Sequence, residues 1–174
     1  MNPRKPLLPR VGLALFLVAT SSSLSAAPPP KARAVLDASV DAVWDATIAS
    51  LRDADYRVSE ERRAQGSVSG RRMRRVGRMN EEEAAKELKR VTRAEPRLGI
   101  DVRGMAEYYV TLTARIGSSE PGKTGIDVVG KITAVFRRRG GAGASMPVAL
   151  TSNGVLEEEF VEHVRERIAH GVAH

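Results

Sequence analysis

Two long runs of alternating hydrophobicity constrain this chain more than any other feature. Tyr108, Val110, Leu112, Ala114 and Ile116 alternate with Tyr109, Thr111, Thr113 and Arg115. Ile126, Val128, Gly130, Ile132, Ala134 and Phe136 then alternate with Asp127, Val129, Lys131, Thr133 and Val135. A period of two is the signature of strands with one covered face. The stretch between the runs is rich in Gly, Ser and Pro, so the pair reads as one long β-hairpin. Its apolar side must be covered by other elements.

Helical patterns supply the cover. Ser39 is a plausible N-cap with Asp41 in the first turn, and Val43, Trp44, Thr47, Ile48 and Leu51 recur at three- and four-residue steps. Trp44 lies mid-face and reads as core. A last helix runs from Ser152 or Asn153 to about Ala169 with a stripe of Leu156, Phe160, Val164 and Ile168. Its acids Glu157, Glu158, Glu159 and Glu162 lie toward the start and Arg165 and Arg167 toward the end, as the helix dipole favours. Between them, Asn80 to Glu83 reads as a capping box opening a weakly hydrophobic helix that ends before Pro96. Shorter strands are expected near residues 32–38, at Tyr56–Ser59 and from Ser67, while the Gly- and Ala-rich stretch from Arg138 to Thr151 fits a loop. The expected fold is α+β: an antiparallel sheet of four or five strands, with helices Ser39–Ala54 and Asn153–Ala169 packed on the face that bears Leu112 and Ile132.

Residues 1–27 read as an export signal. Arg4, Lys5 and Arg10 precede an uncharged apolar run from Val11, and small residues follow from Ser21 to Ala27. That run is well short of the ~20 apolar residues a membrane-spanning helix needs. Residues 28–34 read as a Pro-rich spacer and 35–170 as one α+β domain. The expected location is the periplasm or the exterior, or the membrane if the signal stays uncut as an anchor.

Composition removes several chemistries. The chain has 174 residues and no cysteine, which excludes disulfides, a thiol nucleophile and an iron–sulfur cluster. Two of its three histidines lie in the last five residues, which speaks against a His-rich metal site. Gly117 to Thr124 satisfies the phosphate-loop pattern GxxxxGK[ST], but Gly125 and a β-branched run follow where a helix should begin, so a hairpin loop is expected and no nucleotide. Arg137 to Gly143 resembles an anion nest only weakly. His163 falls on a helix face with one Glu at helical spacing, which is no metal site. Ser, His and acidic residues nowhere form a catalytic constellation. No enzyme activity, cofactor or metal is expected.

The basic residues carry the remaining signal. The net charge of +7 falls to +4 without Arg4, Lys5 and Arg10. Between Arg71 and Arg103, eleven cations face six acids, a net +5. Arg71, Arg72, Arg74, Arg75 and Arg78 are the candidate anion- or partner-binding surface. They also pose a problem of geometry. Not all of them can face solvent from one regular strand with a covered face, so the strand should end near Arg72 or bulge at Gly70. Nucleic acid is disfavoured by export and by the lack of interleaved aromatics.

Several of these segments together resemble a group of small bacterial envelope lipoproteins, distantly similar to the helix-grip domains of BamC, an accessory lipoprotein in outer-membrane protein assembly. The residues that carry the resemblance are Val43-Trp44-Asp45-Ala46 leading to Leu51 and Tyr56-Arg57-Val58, then Gly66 to Ser69, Tyr109 to Leu112, Thr124 to Val128 and Ser152 to Glu157. It spans about Leu36 to Ile168 and implies a helix-grip-like fold and an envelope location, but no reaction. Those proteins carry a lipidated cysteine after the signal, and this chain has none. The functional expectation is an exported, non-enzymatic envelope domain that binds a protein partner or an anionic lipid surface. The alternative is a carrier of a small apolar ligand held between sheet and C-terminal helix. Export makes a definite prediction: N-terminal sequencing of the protein from its native envelope gives a start near Ala26 or Pro28. An intact Met1 on cytoplasmic protein would refute it.

Overall fold

The computed structural model describes residues 31–77, 80–93, 104–137 and 146–171. They form β1 (Lys31–Leu36), α1 (Val40–Asp53), β2 (Arg57–Arg62), a single 3-10 turn, β3 (Ser67–Arg75), α2 (Glu81–Val91), β4 (Met105–Glu120), β5 (Lys123–Phe136), β6 (Met146–Leu150) and α3 (Val155–Ala169). The fold is α+β with one antiparallel sheet of six strands. Its order is β1-β5-β4-β3-β2, and β6 also pairs with β5.

The hairpin expected from the alternating runs is the centre of this sheet. β4 and β5 pair along their whole lengths, with Leu112 opposite Gly130 and Val110 opposite Ile132. Leu112 is 2% exposed and Ile132 fully buried, so both strands turn their apolar side inward, as the register argument requires. The pairing runs further than expected. Gly117 pairs with Gly125 and Ser118 with Thr124, so most of the phosphate-loop look-alike is strand and only Pro121 and Gly122 turn the chain. Gly122 takes a φ of +76°, which a glycine adopts at no steric cost. The Thr124 hydroxyl is already spent, donating to the carbonyl of Ala38 at 2.7 Å.

Three sequence expectations are corrected. First, the sheet has six strands. Met146–Leu150, assigned to a loop for its Pro and Ala content, is an edge strand, where Pro147 costs no ladder bond on the solvent side. Second, strand β1 begins at Lys31, inside the expected spacer 28–34, because Ala32, Ala34 and Leu36 fall on the inner face. Third, Asn80 does not cap α2. Its side chain turns back to accept from the Gly77 amide at 2.6 Å and to donate to the Arg75 carbonyl at 3.1 Å. It thereby holds the end of β3 and leaves the helix start without a side-chain cap.

The helices lie on one side of the sheet. Ser39 caps α1 by accepting from the Ala42 amide at 3.2 Å, and Trp44 is core. Gly70 explains how closely α1 approaches: a Cβ there would lie 2.8 Å from the Leu51 side chain. It is a packing glycine and not the bulge expected. The register shift on that edge falls in β2, between Val58 and Glu60. Helix α2 is anchored despite its thin stripe. Ala84, Leu88 and Val91 are buried, and a bridge joins Thr92 to Ser152.

The free edge of β5 is shared. β1 pairs with Thr124–Val129 and β6 with Ile132–Phe136, and neither strand pairs with Gly130 or Lys131. Glu157, in the first turn of α3, fills the gap. Its Oε1 accepts from the Gly130 amide at 3.0 Å and its Oε2 accepts from the Ser152 hydroxyl at 2.8 Å. Glu157 is fully buried, whereas Glu158, Glu159 and Glu162 of the same helix are exposed. A Cβ at position 130 would stand 2.8 Å from that carboxyl group.

Gly130→Ala should therefore lower stability by about 1–3 kcal/mol through overpacking. Glu157→Ala should cost about as much by leaving a buried amide and hydroxyl unpaired. The two changes should be less than additive, since the alanine methyl occupies space the carboxyl vacates. Urea denaturation of the three variants measures this, and simple additivity would contradict it.

Candidate functional site

The arginine run stays a regular strand to Arg75, and alternation divides its side chains between the two faces. Cross-strand pairing fixes which is which. Arg71 stands opposite Thr111, Met73 opposite Tyr109 and Arg75 opposite Glu107, all on the side away from the helices. Arg72 and Arg74 stand opposite Val110 and Tyr108, on the helical side. Arg78 lies outside the described residues. The structure thus brings Arg71 and Arg75 onto one surface and removes Arg72 and Arg74 from it.

Arg72 has a structural task. Its guanidinium donates to Glu87 of α2 at 2.9 Å and lies 5.0 Å from the centroid of the Tyr56 ring. The Tyr108 hydroxyl donates to the other oxygen of Glu87. Burial, and then the bond to Glu87, push the Tyr108 hydroxyl well above the ordinary tyrosine range, so it remains a donor. This cluster fastens α2 to β3 and β4.

The opposite face of the sheet is covered by no described element, and it is strongly basic. Setting aside the ion pair of Lys123 and Glu120 at the hairpin tip, the face receives, following the registers, Lys31 and Arg33 from β1, Arg57 and Arg62 from β2, Arg71 and Arg75 from β3, Arg115 from β4 and Lys131 from β5. Only Glu60, Asp127 and Glu107 oppose them. Eight cations against three acids make +5. The other described residues hold twelve cations and sixteen acids, or −4. Charge is thus segregated by face, which the counts along the chain do not show.

The three acids of this face are occupied. Asp127 accepts from Arg33 Nε at 2.6 Å and lies 3.4 Å from Lys31. The hydrogen bond from Arg33 holds the Asp127 carboxyl below the usual carboxylate range. The stability this pair adds is present above the ordinary carboxylate pKa and is lost as pH falls through the depressed one. Glu60 pairs with Arg62. Glu107 accepts from the Tyr109 hydroxyl, a bond that raises the pKa of Tyr109.

Arg57, Arg71, Arg75, Arg115 and Lys131 have no ion pair with a described residue. Arg57, Arg71, Thr111 and Lys131 form a single row across β2, β3, β4 and β5. Arg57 and Arg71 are directly opposed, an arrangement of like charges that destabilises a sheet. Arg71 is ordered by stacking on Tyr109, 3.9 Å from its ring centroid. Sequence reasoning missed Arg57, Arg62, Arg115, Lys131, Lys31 and Arg33. Their place on the polar parity of each strand was readable, but their convergence depends on strand order and register.

On the helical side, a cleft of about 290 Å³ lies between the ends of α1, α2 and α3. Leu112, Leu156, Tyr56 and Phe160 line it, with the ion pair of Arg90 and Glu159 at its rim beside exposed His163. Among the described residues, no group of three or more His, Cys, Asp or Glu side chains is placed to hold a metal ion. Of the anion-nest segment only Arg137 is described.

No protein-family model matches the chain, and no curated protein does. No described helix is long and apolar enough to cross a membrane.

The two arginine classes predict opposite phenotypes. Arg72→Ser should cost about 1–3 kcal/mol by stranding Glu87 in a part-buried site. Arg71→Ser and Arg75→Ser should stay within about 0.5 kcal/mol of the parent, as expected of surface changes. Thermal denaturation of the single variants decides it; equal losses at all three positions would refute the division of faces.

Proposed function

We propose that this chain is an exported, non-enzymatic binding domain of the cell envelope whose working surface is the uncovered basic face of its sheet. The observation that carries this reading is the unneutralised row Arg57–Arg71–Thr111–Lys131, with two arginines opposed across neighbouring strands. Such a pair works against folding. A like-charge pair that costs stability and has no ion pair with a described residue is what a binding surface looks like before its partner arrives. Five cations on one face without an ion pair to any described residue create a field that draws in anionic surfaces. The tripartite N-terminal pattern and the likeness to helix-grip envelope domains support the location. Helices gripping one side of an antiparallel sheet fit that architecture.

The carrier reading has one observation in its favour, the cleft between the sheet and α3. Its rim of paired charges suits an apolar ligand poorly, and Leu112, Ile132, Phe160 and Val164 already fill the layer beneath.

The test is retention on an immobilised polyanion across a salt gradient. The parent protein should bind at low salt and elute early as salt shortens the Debye length to about 8 Å at physiological strength. Arg57→Ser and Arg71→Ser should each elute earlier while staying within about 0.5 kcal/mol of the parent in stability, because each is a surface change that also removes the like-charge pair. Unchanged retention in both variants would defeat the proposal.

A further inference from the structure

Resting on that reading of the face, we infer that its partner is a planar anionic lipid surface, with the helical layer turned away from it. Three features of the fold separate a lipid plane from an acidic protein. The first is the distribution of charge through the molecule. The face carries +5 and the remaining described residues −4, so the described part of the domain is a strong dipole directed through the sheet. Against a sheet of negative charge only one orientation is favourable: basic face inward, acidic helices outward.

The second feature is spread. Each of the five strands β1 to β5 contributes at least one cation to the face. At about 4.8 Å between strands, the cations extend over roughly 20 Å. A protein partner is normally gripped at a central packed pocket, surrounded by contacts that add little binding energy. Here the centre holds Thr111, Thr113 and Thr133, and the groove of about 430 Å³ that touches this face lies at the hairpin end, beside Gly117 and Ser119.

The third is the apolar complement. Val35 and Met73 are 51% and 45% exposed on this face, and Tyr109 presents a ring with a polar tip beside Arg71. Isolated apolar side chains and a tyrosine among arginines match the composition of the headgroup region, where aromatic rings and basic residues settle together.

The experiment uses the full chain and sucrose-loaded vesicles of phosphatidylcholine alone or with phosphatidylglycerol. The parent should sediment only with the phosphatidylglycerol vesicles and lose about tenfold in affinity between low and physiological salt. The triple variant Arg57→Ser, Arg71→Ser, Lys131→Ser should lose binding, whereas Lys86→Ser with Lys89→Ser on α2 should keep it. Since the chain has no cysteine of its own, single nitroxide labels at Thr111→Cys and Glu162→Cys report orientation. Only the label at position 111 should become shielded from an aqueous relaxant on the vesicle. Vesicle binding that survives in the triple variant, or equal shielding of both labels, overturns the inference. Retention on immobilised polyglutamate without vesicle binding overturns it too, assigning the face to an acidic protein and leaving the binding reading intact. Binding to neither defeats both.

Discussion

The arrangement of this domain depends on one buried carboxyl group. Strand β5 has β4 along one edge, but its other edge is divided between β1 and β6, and the backbone at Gly130 falls in the gap. An unpaired amide buried there would cost about 1–3 kcal/mol. Glu157 meets that amide with one oxygen and the Ser152 hydroxyl with the other. Glycine at 130 gives the carboxyl group its room, and Gly154, at a φ of +100°, turns the chain into the helix. The first turn of α3 is thereby fixed to the middle of the sheet.

That single attachment settles where the helices lie. Ser152 bridges Thr92 at the end of α2, and the Asn153 side chain donates to the Arg90 carbonyl at 2.7 Å, so α2 is located by the same segment that locates α3. Arg72 and Glu87 then tie α2 to β3. With α1, α2 and α3 all drawn to one side, no described element covers the other. The basic face is a consequence of this one-sided packing: every strand turns its polar parity outward, and in this sequence that parity is rich in arginine.

Much of the fold was legible in the chain. The period-two runs, the Ser39 cap, the Trp44 face and the final apolar stripe are local patterns, and each element formed where its pattern lay. Local patterns failed where a distant partner decided the matter. Met146–Leu150 has the composition of a loop and becomes a strand because β5 offers it a free edge. Asn80 has the spacing of a cap, yet the chain leaving β3 takes its side chain. Glu157 has the spacing of an acid placed for the helix dipole, yet an amide 27 residues back in the sequence also claims its carboxyl group. Each is a tertiary contact overriding a local preference.

The candidate surface divides in the same way. That the Arg71–Arg75 run is basic, and that a strand must sort it between two sides, follows from the sequence by itself, because side-chain alternation is a property of the extended backbone. So do the exclusion of cysteine chemistry, the hairpin and its buried side. Which arginines belong to the open face, and that Arg57 and Lys131 join Arg71 in one row, only the tertiary structure decided. Register across the four strands is set by hydrogen bonding at three successive strand pairs, and the row it builds joins residues 74 apart, from Arg57 to Lys131. A shift of one residue at any step would have sent the same cations to the helical side.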